Sequence, residues 1–147
     1  KGRAVVTDNR ERRVLAIGTM DPSLAIVIHV PERSISKSSL KGRDFHSISN
    51  KVDEAISLAL KGEYLKAMEV NSRAYAEVLG VSEEAADVAR KAGAIAAGIS
   101  GTGPAIAAVV RATDAKKVVE ALSRLEGRVI VTRPNDVPAR EVVPRLL

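Results

Sequence analysis

The fold is decided by residues 94–110, which read AIAAGISGTGPAIAAVV. Two apolar runs, 94–99 and 105–110, flank a glycine-rich turn at Gly98-Ile99-Ser100-Gly101-Thr102-Gly103-Pro104. Both runs have the length of a strand, and a continuous apolar run is typical of a strand that is buried on both faces. Residues 94–110 are therefore predicted to form a buried strand, a glycine turn and a second buried strand.

Apolar spacing on either side of this segment gives the order of the other elements. Strand-like runs precede it at 4–7, 14–17 and 24–30, and one follows at 129–132. Apolar residues that recur every three or four positions predict three helices between residues 44 and 92, and a fourth before the last strand. The residues of the fourth helix expected to face inward are Val118, Val119, Leu122 and Leu125. This order predicts an α+β fold, a ferredoxin-like split β-α-β-β-α-β arrangement with extra helices in the first crossover.

The composition bounds the function. A length of 147 residues is about one domain. Only 2% of residues are aromatic, which argues against base-stacking recognition of nucleic acid, and the absence of Cys excludes disulfides and thiol chemistry. No apolar run approaches the length of a membrane span. The net charge of +5 is scattered, which indicates a mixed solvated surface and leaves a small anionic ligand open. The lack of Cys fits a reducing compartment, and we expect a cytoplasmic protein.

The glycine turn has two interpretations from its residues alone. Glycines at 98, 101 and 103 leave the backbone N–H groups unshielded, and Ser100 and Thr102 add hydroxyl donors, which suits a phosphate group. The turn is not a Walker A loop, because no Lys-Ser/Thr pair follows its last glycine. The alternative is a tight turn in which the glycines serve only to adopt positive φ.

The surrounding residues resemble a known family. Residues 92–105 are similar to the third, C-terminal motif of the GHMP kinases, the superfamily of galactose, homoserine, mevalonate and phosphomevalonate kinases, and residues 68–82 resemble the helical segment before it. Within the superfamily, residues 5–9, 28–31 and 100–104 look most like the archaeal type of shikimate kinase. The resemblance covers nearly the whole chain, but only the C-terminal half of such an enzyme.

The resemblance implies a function for the intact enzyme. Residues 1–147 would be its C-terminal domain, with an N-terminal ATP-binding domain as partner, since no segment here matches the first two motifs of the superfamily. The reaction would transfer the γ-phosphate of ATP, with Mg²⁺, to the ring 3-hydroxyl of shikimate, an anionic substrate of aromatic amino acid (chorismate) biosynthesis. The phosphate-pocket loop would consist of Gly98, Ser100, Gly101, Thr102 and Gly103. No catalytic residue is assigned to this chain, because the acidic residue that many of these kinases use as a base lies upstream of the matched region. Asp8 is a poor substitute, since it is expected at a strand end or turn. The chain alone is therefore expected to be inactive.

Three basic residues are candidates for binding the carboxylate of the substrate. Lys37 and Lys41 follow the strand at 24–30 in a polar loop, and Arg73 lies on the second predicted helix. A solvated side chain is the alternative for each of them. His29 and His46 have no partners at the spacing of a metal site, so both are expected to be structural or surface residues.

Three other functions remain open from the sequence. The chain could belong to another GHMP kinase such as homoserine kinase, or it could be a free-standing ferredoxin-like module that binds a small ligand. Binding of nucleic acid ranks last, since the basic residues form no continuous face. An edge strand left bare by an absent N-terminal half would also allow self-association.

Overall fold

The computed structural model describes residues 2–8, 11–32, 35 and 40–135. In chain order the elements are β1 (Gly2–Asp8), β2 (Arg13–Met20), β3 (Leu24–Val30), α1 (Ser49–Leu60), α2 (Tyr64–Leu79), α3 (Glu84–Lys91), β4 (Ala96–Ile99), β5 (Ile106–Arg111), α4 (Ala115–Leu122) and β6 (Arg128–Thr132). Short 3-10 turns, His46–Ile48 and Ala112–Asp114, precede α1 and α4. The order of elements predicted from the sequence is confirmed. None of the helices in the described ranges is long and apolar enough to cross a membrane.

Four of the strands form one antiparallel sheet in the order β4-β5-β3-β6. The central strand β3 pairs with both β5 and β6, so that Val27 lies opposite Ala108 on one side and Val131 on the other. The sheet thus joins two β-α-β units, β3 to β4 through three helices and β5 to β6 through α4. This is the predicted ferredoxin-like arrangement with extra helices in the first crossover.

The main core lies between this sheet and helices α3 and α4. Three alanines of α3, Ala85, Ala86 and Ala89, pack in one cluster with sheet residues that include Val27 and Ala108. Small side chains let a helix lie close to a sheet. α4 adds two larger side chains to the cluster, Val118 and Leu122, which are fully buried, as their spacing predicts.

The opposite side of the sheet is covered in part by α2, which packs against β4. The hairpin of β1 and β2 forms a separate sheet of two strands. Several of its apolar side chains are exposed, among them Val5, Val14 and Ile17. Gly18 of this hairpin lies so close to the ring of Tyr64 in α2 that a side chain there would overlap the hydroxyl group.

Two elements begin later than the apolar pattern indicates. β4 begins at Ala96, because the N–H of Ala94 donates to the carbonyl of Ala89 at 2.9 Å and so closes the end of α3. α1 begins at Ser49, after a 3-10 turn in which the carboxylate of Asp44 accepts the N–H of His46 at 2.9 Å.

Candidate functional site

The glycine turn between β4 and β5 is closed by its own backbone. The N–H of Ser100 donates to the carbonyl of Ala105 at 2.8 Å, and the N–H of Gly103 donates to the carbonyl of Ser100 at 3.1 Å. We call residues 100–104 the glycine loop. Its conformation is fixed at both ends by these bonds and by the two strands.

Two backbone amides at the tip of the glycine loop have no hydrogen-bond acceptor among the described residues. Gly101 and Gly103 have φ of +64° and +72°, a conformation in which glycine is favoured. No acceptor among the described residues receives the N–H of Gly101 or of Thr102, and both residues are exposed. The space beside Gly101 is open to at least 4 Å. Such a pair of adjacent backbone donors is suited to the oxygen atoms of an anion.

A buried serine holds the strand that leads into the glycine loop. Ser72 of α2 is 1% exposed, and its Oγ accepts the N–H of Ile99, the last residue of β4, at 3.0 Å. The same hydroxyl donates to the carboxylate of Glu83 at 2.7 Å. Glu83 is the residue directly before α3, and its side chain is turned to Ser72. Sequence reasoning missed this pair, although a serine among the apolar positions of α2 was a signal.

Gly98 allows α2 to approach β4 at this point. A Cβ at Gly98 would lie 2.9 Å from Cβ of Ser72 and 3.1 Å from the carbonyl oxygen of Met68. Carbon atoms pack at about 3.5 to 4.0 Å, so no side chain fits there without movement. Gly98 is therefore needed for close packing under the loop.

The side chain of Arg90 in α3 bonds a second outward-facing backbone group of β4. Its guanidinium donates to the carbonyl of Ala97 at 2.9 Å and to the carboxylate of Asp87 at 2.7 Å, with Glu69 at 3.5 Å. The hydrogen bond from Arg90 holds the pKa of Asp87 below its usual range. Burial acts to lower the pKa of Arg90, but the two acidic partners outweigh it and the pKa is raised. This network is structural, since it joins α2, α3 and β4.

A cavity of about 610 Å³ lies at the same end of the sheet as the glycine loop. Its wall includes Pro104, the connection between α2 and α3, and the end of β3. His29 lines it and is 4% exposed, with Nε2 at 3.1 Å from the carbonyl oxygen of Glu126. The prediction that His29 is structural agrees with this burial. Within the described ranges there is also no group of three or more His, Cys, Asp or Glu that could hold a metal ion.

The structure does not bring the predicted basic candidates together at the cavity. Lys37 lies outside the described residues. Lys41 is exposed in the turn before α1, and neither it nor Arg73 lines the cavity. Arg73 is exposed on α2, where its charge helps to lower the pKa of Asp87. The cavity is instead lined by Arg43, whose guanidinium donates to the carbonyl of Val78, and the sequence pattern did not single out Arg43.

Comparison with known proteins places this architecture in a family. The model of the family described as GHMP kinases C terminal matches residues 52–127, more than half of the chain. The chain belongs to the GHMP kinase family. The matched residues contain Ser72, Glu83, Gly98 and the glycine loop, so every contact described above around the loop lies inside the GHMP kinase region.

Curated relatives carry a more specific name. A shikimate kinase from Methanobrevibacter smithii is 36% identical over 137 residues, which are 92% of this chain and 47% of that protein. A shikimate kinase from Thermococcus kodakarensis is 42% identical over 108 residues, 74% of this chain and 39% of that protein. This GHMP kinase chain therefore spans less than half the length of these relatives.

A solved structure supports the fold. The homoserine kinase from Cytophaga hutchinsonii superposes with a TM-score of 0.60 at 15% sequence identity, over 88% of this chain and 48% of that protein. At this identity the likeness concerns the fold, which is that of the C-terminal part of a GHMP kinase.

Proposed function

We propose that this chain is the C-terminal domain of a shikimate kinase, and that its glycine loop binds a phosphate group of ATP. The observation that carries the proposal is the pair of exposed amides of Gly101 and Thr102, which no described acceptor receives. The names of the curated relatives support shikimate as the acceptor.

The loop would act by positioning and charge neutralisation. Transfer of a phosphoryl group spreads negative charge over its oxygen atoms, and fixed backbone donors stabilise that charge. The amides of Gly101 and Thr102 and the hydroxyls of Ser100 and Thr102 are the donors that the loop offers. ATP supplies the phosphoryl group, and Gly98 lets α2 pack closely under the loop that holds these donors. The base that takes the proton of the acceptor hydroxyl is assigned to the N-terminal domain.

Mg²⁺ is not assigned to residues of this chain. The described residues offer no cluster of three carboxylates or imidazoles, so the donor set of a metal site is not found among them. ATP and its metal would be held largely by the N-terminal domain, which is the proposed partner of this chain. The intact enzyme is proposed to be cytoplasmic.

The acceptor carboxylate needs a cation, and the sequence offers Lys37, Lys41 and Arg73. Lys41 and Arg73 are exposed, so each could reach a ligand held between the two domains. Their separate replacement by Met would raise KM for shikimate without changing KM for ATP if the residue binds the carboxylate.

The experiment that tests the acceptor uses the full-length gene product. Purified protein is assayed with ATP and, separately, shikimate, homoserine and mevalonate. Turnover of shikimate is expected, and residues 1–147 alone should give none above background. Turnover of homoserine alone would reject the shikimate assignment. Activity of the isolated chain would show that the essential machinery does not lie upstream.

The role of the loop is tested by adding one negative charge. Thr102→Asp places a carboxylate at the exposed tip, where it would repel phosphate oxygens, and KM for ATP is expected to rise at least about tenfold. The control is Thr113→Asp, the same change at an exposed residue beyond the other end of β5. At about 3.4 Å per residue the two sites are more than about 17 Å apart. Equal effects of the two substitutions would refute phosphate binding at the glycine loop.

A further inference from the structure

Side chains bond part of the outer edge of β4. Among the strands that the structure describes, β4 lies at one edge of the sheet and pairs with β5 alone. On its other side the N–H of Ile99 is bonded by Ser72, and the carbonyl of Ala97 is bonded by Arg90. Ile99 is the residue directly before the glycine loop, so the bond from Ser72 acts on the peptide that starts the loop.

The direction of the two hydrogen bonds of Ser72 is fixed by chemistry. A backbone N–H can only donate and an ionised carboxylate can only accept. The single hydroxyl hydrogen of Ser72 therefore points to Glu83, and a lone pair faces the N–H of Ile99. Glu83 thus determines the orientation of the hydroxyl, and the charge of its carboxylate strengthens the bond to Ser72.

We propose that Ser72 and Glu83 are a positioning pair that sets the place of the glycine loop and thereby its affinity for phosphate. The inference rests on the proposed function, because it assumes that the loop binds ATP. The pair joins α2, the start of α3 and the end of β4 at one buried point. Neither side chain needs to touch the substrate.

Loss of the hydroxyl has a local consequence. In Ser72→Ala the N–H of Ile99 would be left without its acceptor at a half-buried position, which is unfavourable. The peptide at Ile99 would move outward or admit water, and the amides of Gly101 and Thr102 would move with it. The strands β3 and β5 keep their own pairing, so the change should stay near the loop.

The experiment compares variants of the full-length protein in two measurements. Ser72→Ala is expected to raise KM for ATP about tenfold, with KM for the acceptor unchanged. Hydrogen exchange is expected to increase at the amides of Ile99 and Ser100, which are bonded to Ser72 and Ala105 in the wild type, and to stay unchanged in β3 and β5. Glu83→Gln keeps an oxygen that accepts the hydroxyl hydrogen, so it should retain most of the wild-type behaviour, whereas Glu83→Ala should resemble Ser72→Ala. Ser57→Ala, at an exposed serine of α1, is the matched control.

The results separate the pair from a general effect on stability. An unchanged KM for ATP in Ser72→Ala, or faster exchange spread evenly over the sheet, would overturn the proposal. A Glu83→Gln variant as impaired as Glu83→Ala would overturn the view that an accepting oxygen at residue 83 is enough to orient the hydroxyl of Ser72. If Ser72→Ala does not fold, Glu83→Ala at its half-buried site decides the question by the same two measurements. If the wild-type protein does not phosphorylate shikimate, the proposed function fails, and exchange at the amides of Ile99 and Ser100 still tests the positioning.

Discussion

Gly98→Ala is expected to destabilise the fold because of steric overlap. The added Cβ would lie 2.9 Å from Cβ of Ser72, at least about 0.6 Å closer than a normal carbon contact. The carbonyl oxygen of Met68, at 3.1 Å, belongs to the backbone of α2, so the whole helix must shift. Overpacking of this kind costs about 1 to 3 kcal/mol, and the better strand propensity of Ala returns about 0.5 to 1 kcal/mol. The midpoints of these two ranges leave a net loss of about 1 kcal/mol in the free energy of unfolding.

A second glycine gives a control with a different cause. Gly101 has φ of +64° with open space around it, so Gly101→Ala costs backbone strain of about 1 to 2 kcal/mol without overlap. Asn adopts this conformation more readily than Ala. Asn should therefore be better tolerated than Ala at Gly101, and worse tolerated than Ala at Gly98, where the larger side chain increases the overlap.

The assay is urea denaturation of the four variants and the wild type, with unfolding monitored by circular dichroism. The expected result is that the Asn variant has the higher free energy of unfolding at position 101 and the Ala variant has the higher one at position 98. The explanation is refuted if Asn is worse than Ala at both positions, or if Gly98→Ala changes the free energy of unfolding by less than about 0.5 kcal/mol.

Two further predictions concern the core and the acid sensitivity of the fold. Leu122→Ala should lower the free energy of unfolding by about 2 to 5 kcal/mol, measured by urea denaturation, because Leu122 is fully buried. Leu60→Ala, at a half-exposed residue, should change it little. Similar losses in the two variants would contradict the placement of the core. Arg90→Ala should lower stability most above about pH 4, because the lowered pKa of Asp87 stabilises the fold only while its carboxyl is ionised. The difference in urea midpoint between Arg90→Ala and the wild type should therefore narrow from pH 7 to pH 3. The wild type loses the contribution of Asp87 over this range but keeps the hydrogen bond from Arg90 to Ala97. A difference that stays constant with pH would exclude a contribution of Asp87.

The order of the elements could be predicted because each element carries its own periodic signal. Val118 and Leu122 recur at helical spacing and are fully buried. The run at 105–110 predicts a buried strand, and β5 occupies nearly the same residues. Such signals depend on neighbours within one element, so a single sequence contains them.

The contacts under the glycine loop could not be predicted in the same way. The bond from Ile99 to Ser72 joins residues that are 27 positions apart, and the helical pattern around Ser72 indicates only which face is buried. Lys41 and Arg43 stand two positions apart in the same polar loop, yet only Arg43 lines the cavity. Which of two nearby cations points inward depends on the path of the loop, and no periodicity encodes that path.

The two edges of the four-stranded sheet differ in what they offer to another copy of the chain. At β4 the side chains of Ser72 and Arg90 already occupy outward-facing backbone groups, so a foreign strand finds no free row of donors and acceptors. At β6 the described residues place no strand beyond Arg128–Thr132. Open-ended growth of a sheet by strand pairing between copies requires two unpaired edges in every molecule. With β4 partly occupied in this way, strand pairing between copies through this sheet is expected at β6, where two copies would form a two-fold pair and not a growing fibre.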